Sequence, residues 1–432
     1  MKRISRRNLT LIWILGLVGQ LCWNVENQWF NTFIYAKIGP YPWIISCMTA
    51  VSAAATTFST FFFGTWSDRV GKRRPFLFAG YVLWGLFTIA YGLVEFLPKN
   101  GIVAAAVMVV AVDAIMSLFG SMGNDCAFNS WTTDITSEHN RGQLGAILAA
   151  LPVIATIAGT VVSGLLISQL GYFAFFTIMG ALVMVVGAAG GFLMRESSDL
   201  KPSRHPDGFR AQFFSVFSFR TFTQNRELFW VFLLMSVYFT AFNAFFAHAG
   251  NYIIYTLGFD EGTAGILQGA GLGIAVLSAI PTIGLINRGR HGFLMVISTA
   301  ASVLGLMVLA VGGNAIVMLV IGIFFVGVGY VLMNQTTTAW VKNLYPEGSH
   351  GQFEGVRIVF VVLIPMVLGP LSANFVIANW GIPVVIDGTA GMAPSAALFY
   401  LAAVLMALVL FPVFLAIRSK KHHNQPEHHT NC

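Results

Sequence analysis

Long apolar runs separated by short polar breaks dominate the chain. A run of at least ~18 apolar residues is long enough to cross a bilayer as a helix. Twelve can be read: 9–35, 42–63, 75–97, 102–131, 144–169 and 172–194, then 227–255, 262–286, 292–312, 314–340, 352–378 and 392–417. The first run follows Lys2, Arg3, Arg6 and Arg7 as a secretory signal would. It is too long for one, and no small-residue cleavage site follows, so it reads as the first span.

Composition supports the same class. Of 432 residues, 56% are hydrophobic and 9% charged, whereas soluble proteins carry about 25% charged residues. An ionised side chain at the centre of a membrane helix costs about 2.5–3.5 kcal/mol on insertion scales. Glycine is abundant, at 44 residues, and lets membrane helices approach closely. Cys22, Cys47 and Cys126 lie in apolar runs and Cys432 in the polar tail, so no disulfide framework is readable.

Basic residues orient the chain. With the N-terminus inside, all but three of the 24 Lys and Arg fall on the inner side. They are the four at the N-terminus, then Arg69, Lys72, Arg73, Arg74 and Arg141. Six more lie in the 195–226 break, followed by Arg288, Arg290, Lys342, Arg418, Lys420 and Lys421. Only Lys37 and Lys99 fall outside, and Arg357 lies within the eleventh span. The fold expected is an all-α membrane protein with N-terminus and C-terminus both inside. The net charge of +7 is then topology rather than a nucleic-acid surface. The 195–226 linker mixes aromatics with Arg210 and Arg220 in FRAQFFSVFSFRTF, a pattern expected of a helix lying on the inner membrane surface. The His-rich tail, 418–432, reads as a solvated cytoplasmic segment.

The two sides of that linker repeat. A shift of 209 lays WTTDITSEHNRGQL (131–144) on WVKNLYPEGSHGQF (340–353); a shift of 217 lays LIWIL (11–15) on LFWVF (228–232). This predicts two pseudo-repeated six-helix halves, 1–194 and 227–417, with a substrate site between them near the midplane. Under the shifts Glu26 falls on Asn243, Asp125 on Asn334 and Asp134 on Asn343. With a one-residue gap, Asp68 falls on Asn287. Carboxyls thus stand in the first half where the second has amides, which places proton or cation chemistry in the first half and neutral hydrogen bonding in the second.

Residues 64–76 read GTWSDRVGKRRPF. This resembles the signature that major facilitator transporters carry after their second helix, G-x-x-x-D-R-x-G-[RK]-[RK]. Gly64, Asp68, Arg69, Gly71, Lys72 and Arg73 would form an inner-side gate, with Arg141 a partner for Asp68. More narrowly, S-D-R…G-K-R-R-P-F, QLCWNVENQWF (20–30) and DCAFN (125–129) resemble stretches of the plant sucrose carriers and the animal proton-associated sugar transporters. DCAFN is also similar to the helix 4 run of the glycoside-pentoside-hexuronide cation symporters, with Ala127 where those carry proline. The resemblance implies sugar transport coupled to a proton or sodium ion, and that Asp125 is the helix 4 coupling or sugar-binding acid. The span 144–169 lacks the arginine that sucrose carriers have there; 42–63 has no acid, which disfavours sodium.

The intramembrane acids are Glu26, Asp113 and Asp125, with Glu354 near the start of the eleventh span and Arg357 one turn on as its partner. The first three have no evident cation partner, so each must hold a proton, bind a cation or face water. In a regular helix Ser121, Asp125 and Asn129 share one face, with Asp113, Ser117 and Asn124 beside it. Gln20, Asn24, Asn27, Gln28 and Asn31 make a polar stripe on the first span. Asn334, Asn243, Trp23, Asn27, Asn129 and His248 complete the candidate binding set, and Trp29 and Phe246 could stack on a sugar ring. Pro152, Pro365 and Pro370 mark possible bends. The Gly-rich runs 265–273 and 322–329 read as close helix packing, since neither follows a strand.

The expected function is proton-coupled symport of a sugar or glycoside, with Asp125 taking the driving proton. A carrier of a drug or amphipathic lipid is the alternative within transport, and a membrane sensor or scaffold the alternative outside it. No metal-ligand cluster, nucleophile–base pair or soluble catalytic domain is visible in the sequence, so neither enzymatic activity, cofactor nor bound metal is expected. The expected partners are a small solute, a proton and lipid, with no nucleic acid, and the chain is expected to be a monomer in an inner or plasma membrane.

Overall fold

The computed structural model describes residues 5–97, 101–136, 141–197, 200–203, 208–210, 226–344 and 356–423. Twelve helices among them are long and apolar enough to cross a membrane. They are α1 Arg6–Ile38, α2 Pro42–Val70, α3 Arg74–Phe96, α4 Ile102–Asp134, α5 Ala150–Leu170 and α6 Tyr172–Leu193. The remainder are α7 Arg226–Thr256, α8 Glu261–Asn287, α9 His291–Gly312, α10 Ile316–Val341, α11 Val356–Trp380 and α12 Ala397–Ser419. An even number of crossings puts both ends of the chain on one side. Glu138, Glu347 and Glu354 lie outside the described residues, as do 211–225 of the expected interfacial helix and the tail from residue 424.

Sequence signals set most helix ends. Ser5 caps α1 by accepting from the Asn8 N–H, and prolines stand in the first turns of α2 and α3, where a missing N–H costs nothing. Gly71 ends α2 in the left-handed region at φ 66°, and a Cβ there would strike the Pro202 ring. Asp260 opens α8 by accepting from the Thr263 N–H and hydroxyl.

The twelfth span starts at Ala397, later than its apolar run from 392, because residues 392–393 still belong to a strand. β1 Ile382–Ile386 pairs antiparallel with β2 Thr389–Ala393 through Asp387-Gly388. Both turn residues have positive φ, 50° and 81°, the turn geometry that follows the twist of a two-residue hairpin. The Met392 N–H donates to the Pro40 carbonyl at 3.0 Å and Tyr35 donates to the Met392 carbonyl at 2.9 Å. The hairpin thereby braces the α1–α2 connection.

Several spans contain π-helical turns: Ile34–Ile38 in α1, Ser121–Phe128 in α4, Tyr252–Thr256 in α7 and Val359–Leu363 in α11. Those ending α1 and α7 occupy positions that the 217-residue shift equates to within one residue, so the repeat is visible in backbone as well as side chains. The turn in α11 ends two residues before Pro365, which has no N–H to give the helix. Pro152 sits inside a continuous helix instead.

The chain packs as two compact units. The first comprises 1–214, 245–270 and 370–397; the second comprises 215–244, 271–369 and 398–432. Lipid gives apolar side chains little reason to prefer protein, so close packing has to come from small residues. In the first unit α3 meets α4 at Gly80 and Gly123, where a Cβ on Gly80 would stand 2.5 Å from the Gly123 backbone. An aromatic cluster follows, with Phe30 stacked on Tyr91 and Phe176 edge-on to both. Trp131 is fully buried and donates its indole N–H to the Arg195 carbonyl at 2.9 Å. Its repeat partner Trp340, in the second unit, is buried likewise and donates to Glu227 at 2.7 Å.

Candidate transport site and basic-side latch

The π-helical segment of α4 reorders the polar face that a regular helix would give. The backbone there runs at i→i+5 spacing. Ser121 turns to α2, where its hydroxyl meets that of Thr60 at 2.8 Å and donates to the Thr56 carbonyl at 3.2 Å. Asp125 is partly exposed and accepts from Asn124 at 3.2 Å, from Ser121 and from Trp23. The Asn124 carbonyl oxygen accepts from Tyr81, whose hydroxyl also reaches the Leu15 carbonyl. Asn129 is exposed, and its amide bonds back to the Asp125 carbonyl. The structure thus brings Trp23 and Asp125 together, tied to α1 and α3, with Asn129 beyond them on α4.

Glu26 and Asp113 lie deeper, 6% and 1% exposed. Glu26 Oε1 accepts from Ser52 on α2 and from Ser117 on α4, both at 2.8 Å. The two hydroxyls are themselves 2.6 Å apart. Asp113 reaches the same Ser52. Glu26 Oε2 and Asp113 Oδ1 are buried without a hydrogen-bond partner. Ser117, which sequence spacing puts in a stripe with Asn124, belongs to this second cluster instead.

The stripe on α1 divides between two neighbours. Thr160 on α5 accepts from the Asn24 amide and donates to the Gln28 carbonyl oxygen. The Asn31 carbonyl accepts from the Asn251 amide of α7 at 3.1 Å. Asn24 Oδ1, Gln28 Nε2, Asn31 Oδ1 and Asn251 Oδ1 remain buried and unpaired, as do both ring nitrogens of His248, one turn before Asn251. Asn27 is half-buried and bonds to the Trp23 carbonyl. Trp29, expected as a stacking platform, is 1% exposed and packs on Gly164 of α5, so it belongs to the packing. Asn243 and Asn334 lie in the second unit, half-buried, each bonding back to its own helix.

The signature after α2 is an ion-pair brace within the first unit. Arg73 pairs with Asp68 at 2.6 Å and with Asp134, at the end of α4, at 3.0 Å; it also donates to Ser67. Glu196, just past α6, accepts from the N–H groups of Arg73 and Arg74. Burial alone would lower the Arg73 pKa; Asp68 and Asp134 outweigh it and hold the guanidinium above its ordinary value. Arg69 lies over the Phe209 ring. Gly64 meets nothing that a Cβ would disturb. The described partner of Asp68 is therefore Arg73 of its own turn, while the side chains of Arg141 and Lys342 lie outside the described residues. Spacing gave no reason to select Glu196, and Asp134 stood out only as a repeat-related acid.

Together, twelve spans, an internal repeat and a charge-braced turn after the second helix define a polytopic carrier. The family model described as Major Facilitator Superfamily matches residues 12–356 and 249–430. The chain belongs to that superfamily, as an integral multi-pass membrane transporter. No curated protein matches it in sequence. Among solved structures it is similar to a mutant form of the nucleoside transporter NupG, at TM-score 0.74 and 12% identity, over 94% of this chain and 99% of that one. It is also similar to a D-xylose-proton symporter, at TM-score 0.70 and 13% identity, over 94% and 97%. A bacterial metal transporter aligns at TM-score 0.59 and 14% identity, over 97% and 100%.

Proposed function

We propose that the chain is a proton-coupled symporter of a sugar or glycoside, working by alternating access of its two six-helix halves. The observation that carries this reading is the set of unpaired buried polar atoms on Asn24, Gln28, Asn31, His248 and Asn251. Each such group costs about 1–3 kcal/mol when left unsatisfied. They supply donors and acceptors, and a sugar hydroxyl is both. A lipid-like or drug-like solute would satisfy fewer of them. Asp125, beside Trp23 and partly exposed, suits a carboxylate that accepts from solute hydroxyls while the indole covers an apolar sugar face. Acids buried away from any described cation support a proton as the coupling ion. Orientation with both termini in the cytoplasm follows the distribution of Lys and Arg.

The test is uptake by proteoliposomes under an imposed inward proton gradient, with a panel of labelled mono- and disaccharides beside uridine and a cationic dye. One or more sugars should accumulate above the external concentration, and a protonophore should abolish the accumulation. Asp125→Asn should raise the half-saturation concentration of that sugar at least tenfold. Gradient-driven movement of the dye alone would overturn the sugar reading.

A further inference from the structure

We propose that Glu26, Ser52, Ser117 and Asp113 form a proton-binding site distinct from the Asp125 site, and that it holds the coupling proton. A count of hydrogens carries the argument. Glu26 Oε1, Ser52 Oγ and Ser117 Oγ form a triangle with edges of 2.8, 2.8 and 2.6 Å. Oxygens at such separations are hydrogen-bonded; without a hydrogen between them they repel. Three edges need three hydrogens. The two hydroxyls carry one each, and an ionised carboxylate carries none. Ser52 also faces Asp113. The triangle's deficit of one hydrogen is met when Glu26 carries a proton.

A second observation points the same way. Glu26 Oε2 and Asp113 Oδ1 are both buried with nothing to bond. Two ionised carboxylates left so would be very costly in a bilayer. The titratable neighbours are Cys22 on α1, Tyr91 on α3 and Asp125 on α4. Among the described residues none of them, and nothing on α2, brings a positive charge to the pair. Asp125, by contrast, is partly exposed and accepts from the Asn124 amide.

The site lies where α1, α2 and α4 meet, so any change in their packing alters the triangle. Opening one edge removes the need for the third hydrogen and frees the proton. That the bound proton is the transported one rests on the reading of the chain as a proton-coupled carrier; that a proton is bound there does not.

Two measurements on the full-length protein in proteoliposomes separate these statements. Infrared spectroscopy at neutral pH should show a protonated carboxyl carbonyl band that is lost in Glu26→Gln or in Asp113→Asn and kept in Asp125→Asn. Ser117→Ala, which removes two edges of the triangle without touching a carboxyl, should weaken the band at the same pH. Loss of the band in neither carboxamide variant overturns the site. The second measurement is labelled D-xylose, and the best sugar of the panel, in gradient-driven uptake beside counterflow. Glu26→Gln should reduce the accumulation ratio to one and keep counterflow within threefold of wild type. Accumulation unchanged in both Glu26→Gln and Asp113→Asn overturns the coupling role. If the wild type carries no sugar, the proposed function fails, and the infrared result still decides the proton site.

Discussion

Of the two acids that hold Arg73, the sequence signature singles out Asp68, and burial argues for the larger share at Asp134. Asp68 is the closer, at 2.6 Å, but it is 46% exposed. An ion pair so open to water contributes about 0–1 kcal/mol whatever its length. Asp134 is 21% exposed, Arg73 7%, and the contact is a directed Nε–H bond of 3.0 Å. A hydrogen bond to a charged group contributes about 1.5–3 kcal/mol, and little solvent is present to screen this one. Two double-mutant cycles compare them: Arg73→Gln with Asp134→Asn, and Arg73→Gln with Asp68→Asn. The lost Ser67 bond cancels within each cycle, as does any change of Arg73 contact common to both. The coupling energy should be about 2 kcal/mol for Asp134, a factor of about 30 in the unfolding constant, and below about 1 kcal/mol for Asp68. The assay is reversible unfolding in mixed detergent and SDS micelles, followed by tryptophan fluorescence. Trp131, whose indole bonds to the Arg195 carbonyl, reports locally. A larger coupling for Asp68, or both cycles additive within about 0.5 kcal/mol, refutes the reasoning from burial.

Asp260→Ala removes the cap of α8 and should cost about 1 kcal/mol in the same assay. The Thr263 hydroxyl and N–H hold the Asp260 carboxyl below its ordinary value. Its contribution is therefore full above the ordinary carboxylate range and lost as pH falls below it, so the mutant and wild-type stabilities should converge in acid. A cysteine introduced at Ser198 should react with an impermeant thiol reagent from the cytoplasmic side alone; labelling in intact cells would reverse the orientation.

The chain's own pattern determined the class and the crossings. Apolar runs of bilayer length, bounded by charges, have one stable solution in lipid, because a backbone without water has to satisfy itself as helix. The repeat and the Asp68–Arg73 turn were legible for the same reason: both are local, set by fixed spacing. The Asp387-Gly388 pair was an equally local hairpin signal, lying in the break between the eleventh and twelfth runs where no element was assigned. Tertiary structure decided what periodicity alone does not contain. A regular 3.6-residue period puts Asp125 beside Ser121 and Asn129; it does not contain the bonds of Ser121 to Thr56 and Thr60 on α2 or the meeting of Asp125 with Trp23 of α1. Ser52 looked like any small polar residue in an apolar span, since its importance comes from two carboxyls 26 positions before and 61 positions after it. Glu196 was invisible likewise, being drawn to the Arg73 backbone from 123 residues away. A residue's type and spacing fix what it can bond to, and packing between distant helices fixes which of those bonds is made.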